Sequence, residues 1–341
     1  MIFLTGASGL LGSHVLYELV RSGRPVKALY RNKDKLPLVE KIFSYYARDA
    51  VKLMKSIEWV RGDVVDYYAL RECMTGANLV FHAAGMVSFM DNDKKDVMRI
   101  NAHGTANVVN ACMELGVGKL CFVSSIAALG ESTRGEPVHE NMLWNAESDV
   151  SAYAVSKFQA EMEVWRGIHE GLQAVIVNPS VIIGPGMWYK SIAQLINMVS
   201  RGLRYYPAGS GGYVDVRDVA RAMIILTDSN ISGERFIINA ENIPHRDLVN
   251  AIAKLLNRSV PDKLMTPVLM KTICILERIR SVITGTPRRV NWRTLKIAAD
   301  TAAYSNQKIT EAIGLQFIPV KESVEFVVNT YLKDFPGIHT R

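Results

Sequence analysis

The sequence predicts an α/β fold: a doubly wound parallel sheet followed by a smaller, mostly helical C-terminal unit. Two observations predict the sheet. Over the first 240 residues, short apolar runs alternate with longer amphipathic stretches. Several runs are apolar on successive positions, as strands buried on both faces require. A third observation predicts the C-terminal unit. Beyond about Gly184 the alternation breaks into helical segments punctuated by Pro185, Pro207, Pro244, Pro261, Pro267, Pro287 and Pro319.

In chain order the predicted strands are Met1–Leu4, Val26–Tyr30, Ile57–Val60, Leu79–His82, Lys119–Ser124, Leu172–Val177 and Arg235–Ile238. Helical patterns between them include Leu10–Ser22, Val97–Leu115 and Ala152–Ile168. Repeated strand–helix units with right-handed crossovers give the doubly wound sheet. Arg235–Ile238 is expected to return to that sheet. The division is then residues 1–183, with about 212–240 returning to them, against a substrate-side unit of 184–211 and 241–341.

Composition narrows the classes. Of 341 residues, 49% are hydrophobic and 21% charged, enough apolar content for a core and too much for a disordered chain. Cys73, Cys112, Cys121 and Cys274 are widely spaced with no C-x-x-C pair, which points to reduced thiols in the cytosol. The scattered histidines suggest no metal. The first residues show no basic leader before an apolar run, and the longest uncharged stretch, Gly171 to Tyr189, is broken by Pro179, Gly184, Pro185 and Gly186. A cytoplasmic protein without stable membrane insertion is expected.

Thr5-Gly6-Ala7-Ser8-Gly9-Leu10-Leu11-Gly12 links the first strand to the first helix. Gly6 permits the turn, Gly9 lets backbone approach a pyrophosphate, and Gly12 allows close helix packing. Ser8 and Leu10 join these glycines as cofactor contacts. Free N–H groups at the helix start suit the phosphates, and the whole reads as a Rossmann-type dinucleotide site. Arg31 stands where an acid would meet a free ribose 2′-hydroxyl, with Lys33 and Lys35 after it. A guanidinium suits a 2′-phosphate, so NADP(H) is expected over NAD(H). Arg31 stacked on adenine would permit either cofactor. Asp63 and Val64 after the third strand, and Ala83, Ala84 and Gly85 after the fourth, complete the expected cofactor surface.

Tyr153 and Lys157 are four apart in a helical pattern and address one volume. An ammonium beside a phenol favours phenolate and lowers its pKa towards the working range. Ser125 ends the fifth strand at the carboxyl edge of the sheet, where it would clamp a substrate oxygen onto Tyr153. Asn101 stands at the head of a helical pattern, either anchoring a proton relay or capping the helix.

In this order the motifs resemble the extended short-chain dehydrogenase/reductases. The matching segments are Thr5–Gly12, Asp63, His82–Gly85, Asn101–Thr105, Ser124–Ser125, Tyr153-x-x-x-Lys157 and Asn178-Pro179-Ser180, with Tyr213–Ala220 and Tyr304–Lys308 further on. Within that superfamily the chain is most similar to the NAD(P)-dependent epimerase/dehydratase group, on the branch of dihydroflavonol-4-reductases and 3β-hydroxysteroid dehydrogenases. The resemblance implies hydride transfer between nicotinamide and a ketone or secondary alcohol. Tyr153 would be general acid/base, Lys157 its tuner and Ser125 the clamp. Ser124 and Pro179 would flank the nicotinamide, and the chain would form a homodimer. It also places a small-molecule substrate between sheet edge and C-terminal unit, near Met86, Val87, Ser88, Phe89, Asn178, Trp188, Tyr189 and Tyr213; most of the lining suits a ring-bearing compound. Trp188 and Tyr213 read equally well as core contacts. Ser125 is followed by Ile126-Ala127-Ala128-Leu129-Gly130, without the acidic pair of sugar dehydratases. A nucleotide-sugar epimerase and a non-catalytic NADP-binding redox sensor are the alternatives.

Net charge is +7, and its excess is local. Lys263, Lys271, Arg278, Arg280, Arg288, Arg289, Arg293 and Lys296 face only Asp262 and Glu277 within 262–296. The segment would bind nucleotide-sugar phosphates, rest on anionic membrane, or form a solvated basic helix with Leu and Ile turned inward; the last is the expectation. Nothing here suggests a nucleic-acid partner.

Overall fold

The structure is a computed structural model. It describes residues 1–336 except 131, 133, 134, 146–149, 190, 287 and 289; Arg289 of the basic segment lies outside the described residues. The first half runs β1 (Ile2–Thr5), α1 (Leu10–Arg21), β2 (Val26–Tyr30), α2 (Leu36–Ser44), α3 (Ala50–Lys55), β3 (Glu58–Arg61), α4 (Tyr67–Met74), β4 (Leu79–His82), α5 (Lys94–Met98), α6 (Gly104–Glu114) and β5 (Lys119–Val123). Next come α7 (Ala152–His169), β6 (Ala174–Pro179), β7 (Val181–Ile183), α8 (Ser191–Ser200), β8 (Tyr205–Tyr206), β9 (Ser210–Asp215), α9 (Val216–Asp228) and β10 (Glu234–Ile238). The chain closes with β11 (Glu241–Pro244), α10 (His245–Leu255), β12 (Lys263–Leu264), α11 (Pro267–Thr284), α12 (Trp292–Ala299), α13 (Gln307–Ile313) and α14 (Val320–Asp334).

Seven strands form the main sheet in the order β10-β6-β5-β4-β1-β2-β3, and every pairing is parallel. Side chains alternate between two cores. Leu4, Phe81, Cys121, Val175 and Val177 join α1, α2 and α9 on one face. Phe3, Val80, Leu120, Phe122 and Ile176 join α4, α6 and α7 on the other. This double burial is what the contiguous apolar runs encode. Strand order reverses at β1, which pairs with both β2 and β4, so a cleft opens at the carboxyl ends of β1 and β4.

Beyond β6 the structure adds detail to the sequence reading. The C-terminal part is mostly helical, as expected, and also holds two small sheets: β11-β9-β7, three-stranded, and β12-β8, two-stranded. Ser210–Asp215 therefore pairs with Val181–Ile183 and Glu241–Pro244 and not with the main sheet, while Glu234–Ile238 does return, in parallel with β6. A further core packs α8, α10 and α14 around Ile183 and Tyr213. The expected inward packing of the basic segment is also corrected. In α11 only Met270 is buried, and Ile275, Leu276, Ile279 and Ile283 face outward. Among the described residues no helix is long and apolar enough to cross a membrane.

Two buried histidines tie the sheet to its helices. Thr105 Oγ1 donates to the Asn101 carbonyl (2.6 Å), so it accepts from His82 Nε2 (3.0 Å). His82 Nδ1 then accepts from Thr5 Oγ1 (2.7 Å), which itself accepts from the Ala84 N–H (3.2 Å). The chain of bonds admits only a neutral ring. Burial holds His82 down to about 3 and His14 to about 4, against an ordinary 6.5. Below pH 6.5 the unfolded chain binds protons that the folded one refuses. Stability is thus full above pH 6.5 and lost as pH falls towards 4 and then 3. Urea midpoints taken from pH 7.5 down to pH 5 should fall, by up to about 1.4 kcal/mol per pH unit for each histidine. His14→Asn should flatten part of that slope; an unchanged slope would assign it to other groups.

Candidate active site

The glycine loop fills the cleft. Gly6 has φ +71°, and a Cβ there would lie 2.5 Å from Ala83 and Ala84 backbone. A Cβ on Gly12 would lie 2.0 Å from the Gly6 carbonyl oxygen, so this glycine seats α1 on the loop itself. Gly9 has an ordinary extended backbone and caps α1 without a side-chain bond; no acid occupies the first turn. Ser13 Oγ turns back to the Gly9 and Ala7 carbonyls (2.7 and 3.1 Å). The start of α1 thus presents N–H groups and a positive dipole end, flanked by partly exposed Ser8 and Leu10. These features fit a pyrophosphate.

At the end of β2, Arg31 keeps 60% of its side chain exposed and lies 3.5 Å from Asp63 Oδ2. Asp63 Oδ1 accepts from the Val65 N–H (3.3 Å). Tyr30, Arg31, Asn32, Lys33 and Arg61 line an open cavity of about 440 Å³. Arg61 was not foreseen. It ends β3, which pairs with β2 in the register Tyr30 to Arg61. Val64 differs from expectation: its side chain packs over Gly104 and its carbonyl accepts from Asn107 Nδ2 (2.9 Å). It leaves the cleft no side chain.

The catalytic candidates meet at the carboxyl end of β5. Ser125 opens the short turn Ile126–Ala128, its Oγ accepting from the Ala127 N–H (3.2 Å). Ser151 caps α7 by accepting from the Ala154 N–H (3.0 Å), which sets Tyr153 in the first turn. The Ser125 hydroxyl faces the Tyr153 phenol closely enough to oppose the rise of its pKa, and the Phe89 ring meets the phenol ring edge-on at 5.5 Å. One turn along, Lys157 Nζ donates to the Val123 carbonyl (2.8 Å) and lies 5.1 Å from the Phe122 ring centre. A Cβ on Gly85 would lie 3.3 Å from both Lys157 Nζ and Asn101 Oδ1, so Gly85 keeps this slot open beside the ammonium.

The expected lowering of Tyr153 by Lys157 does not occur here. Burial pushes the phenol above its ordinary value, and only the Ser125 hydroxyl opposes this. Lys157 is itself depressed, to about 8, by burial, against which Glu161 acts. Asn101 is likewise no helix cap. It lies buried inside a π-helical turn, Arg99–His103, that joins α5 to α6. Its Nδ2 donates to the Met86 carbonyl and Ser156 Oγ (both 2.9 Å), and its Oδ1 accepts from the Met86 N–H (2.7 Å).

Several substrate candidates are otherwise engaged. Trp188 donates to Asp334 Oδ2 (2.9 Å) and packs on Tyr331. Tyr213 is buried, and its hydroxyl bonds His245 Nδ1 (2.5 Å). Both are core contacts of the C-terminal part. Ser88 donates to Asp93 Oδ2 (2.5 Å) and accepts from the Met90 N–H (3.2 Å), closing its own loop. Asn178 Nδ2 donates to the Ser125 carbonyl and Glu161 Oε2 (both 3.0 Å); it is a strut beneath Ser125. Pro179 ends β6 opposite Ile238, and Ser124 Oγ donates to Glu161 Oε2 (2.6 Å).

The family model described as "NAD dependent epimerase/dehydratase family" matches residues 2–239. The chain belongs to this family. Among similar curated proteins, one of Synechocystis sp. named as a dihydroflavonol 4-reductase is 26% identical, over 96% of this chain and 94% of that one. Cinnamoyl-CoA reductase 1 of Petunia hybrida is 26% identical, over 94% and 89%. The crystal structure of gox2253 is 25% identical with a TM-score of 0.80 and covers 98% of both chains. The chain is thus an oxidoreductase of the NAD-dependent epimerase/dehydratase family, with that family's sheet and a glycine loop.

Against that family background, sequence reading missed Glu161, four residues after Lys157 on the core side of α7. Its carboxylate is 1% exposed. It accepts from Ser124, Asn178 and, through Oε1, Arg235 NH1 (2.8 Å). An acid at i+8 from Tyr153 on the same helix face was the available signal. Arg235 also donates to the Glu140 and Met142 carbonyls, and among the described residues Glu161 is the carboxylate that pairs with its charge. Glu161→Gln should cost about 3 kcal/mol, because it leaves a guanidinium only 18% exposed without its counter-charge. Urea denaturation checks this, and a loss below about 1 kcal/mol would show that the network holds nothing up.

Proposed function

We propose that this chain is an NADP(H)-dependent oxidoreductase that interconverts a ketone and a secondary alcohol on a small, ring-bearing substrate. One observation carries the reading: Ser125 and Tyr153 brought face to face, with Lys157 one turn on, at the sheet edge beside an uncapped phosphate-type loop. Residues 6–12 would hold the pyrophosphate. Ala83, Ala84, Gly85, Ser124 and Pro179 would flank the remainder, and the Lys157 ammonium would hold the nicotinamide ribose. Bound there, the reduced nicotinamide supplies hydride.

The protein's part is to orient and to protonate. Ser125 Oγ fixes the carbonyl oxygen against the Tyr153 hydroxyl. As negative charge grows on that oxygen, the phenol gives up its proton to it. A phenol held above its ordinary value is fully protonated at neutral pH, which suits donation and thus the reductive direction. Lys157, at about 8, is mainly ammonium at neutral pH and offsets the charge left on the phenolate. No acid follows Ser125 in Ile126–Ala128, so elimination of water has no base there. Phe89 against Tyr153 supports an apolar ring in the substrate. The cations Arg31, Lys33 and Arg61 around one cavity support a 2′-phosphate.

Fluorescence titration of the purified protein should show NADPH binding more tightly than NADH. Arg31→Ala should weaken NADPH about tenfold, the worth of one charge-assisted bond, and leave NADH unchanged. Tyr153→Phe should keep cofactor affinity while turnover of cyclic and aromatic ketones falls about 10²- to 10⁴-fold. Equal binding of both cofactors would remove the 2′-phosphate assignment. Undiminished turnover in Tyr153→Phe would remove the catalytic one.

A further inference from the structure

Helix α11 begins with a cap, Thr266 Oγ1 accepting from the Leu269 N–H (3.4 Å), and Pro267 in its first turn; it ends at Gly285 in the left-handed region (φ +64°). Between these ends it leaves Val268 75%, Ile275 59%, Leu276 59%, Ile279 49%, Val282 78% and Ile283 78% exposed. At about 3.6 residues per turn all six fall within roughly 120° of arc. Lys271 and Arg278, both exposed, border the stripe on one side. Arg280 borders it on the other, bridged to Glu277 (2.9 Å). An aliphatic face, interrupted by Thr272 whose hydroxyl is turned onto the Val268 carbonyl (3.0 Å), with a basic rim on an otherwise well-packed chain marks an interaction surface.

We infer that α11 is a docking helix for the surface of an anionic phospholipid bilayer. The face is convex and aliphatic, and it offers almost no directional hydrogen-bonding group, which a specific protein partner would use and an acyl boundary does not need. Its rim is positive. Two copies of this chain paired through the same stripe would bring Lys271 and Arg278 of each against those of the other. A negatively charged lipid surface meets both features at once: the stripe enters the acyl boundary and the cations stay at the headgroups. Helix α12, which packs on α11, reaches the active site. Asn291, which caps α12 by accepting from the Thr294 N–H (2.8 Å), donates to the Phe89 carbonyl (2.6 Å) in the loop against Tyr153. The docking inference stands on the exposed stripe and its rim, independently of the reaction.

Flotation of the full chain tests it, with vesicles of phosphatidylcholine alone and of phosphatidylcholine mixed equally with phosphatidylglycerol. The chain should float with the mixed vesicles, more weakly at high salt, and little with the neutral ones. Lys271→Ser with Arg278→Ser should weaken binding about fivefold per removed cation. Ile279→Asp with Val282→Asp should abolish it, with circular dichroism unchanged because both positions face solvent. No flotation with mixed vesicles would overturn the inference. So would undiminished binding in the aspartate variant, equal binding to both vesicle types, or a vesicle-indifferent dimer that the aspartate variant disperses.

Discussion

A Cβ on Gly6 would stand 2.5 Å from the backbone of Ala83 and Ala84, and one on Gly12 would stand 2.0 Å from the Gly6 carbonyl oxygen. Backbone meets backbone at these places, and no other residue type lets it. The ends of β1 and β4 and the start of α1 are thereby fixed to one another within ordinary contact distance. The His82–Thr5–Thr105 chain secures the same junction from below. Because His82 is a neutral ring with both nitrogens committed, the junction has little freedom to slide. The cleft at the strand-order reversal inherits that rigidity, and its shape is set by main chain more than by side chains.

Helix α7 then distributes three chemistries along one face by burial alone. Tyr153, Lys157 and Glu161 follow at intervals of four. The phenol rises with burial, the ammonium falls, and the carboxylate is held by Ser124, Asn178 and Arg235. Glu161 opposes the depression of Lys157, so the acid deepest in the core helps keep the middle residue charged. The same acid holds Asn178, whose other bond supports the Ser125 carbonyl. Removal of one group therefore reaches the others through this hydrogen-bond network, and pairwise energies along this face will not add.

The sequence carried the main sheet well because double burial writes itself as contiguous apolar residues; each of the seven strands falls within two residues of its expected start. The glycine spacing was equally legible, since it answers a steric demand. Other features depend on partners too remote to read. Trp188 and Asp334 are separated by 146 positions, and nothing local says that this indole is held away from the cleft. The small β7-β9-β11 sheet uses strands of three to six residues, too short for a periodic signal. The π turn around Asn101 changes which way the side chain points without changing composition. For α11, periodicity defines an aliphatic stripe but not its direction; the inward choice was the commoner one and the structure reverses it.

With Trp188, Tyr213 and Ser88 engaged elsewhere, the 86–93 loop becomes the principal variable on the substrate side. Two asparagines from distant elements hold it. Asn101 clamps the Met86 peptide at both its N–H and its carbonyl, and Asn291 takes the Phe89 carbonyl. The first clamp is rigid, since Asn101 is buried against Ser156 of α7. The second belongs to α12, which packs on the outward-facing α11. Any displacement of α11 and α12 thus acts on Phe89 relative to a fixed Met86, and Phe89 lies against the Tyr153 ring. Ring position over the Tyr153 phenol and the arrangement of the exposed helix are therefore coupled through one side-chain amide.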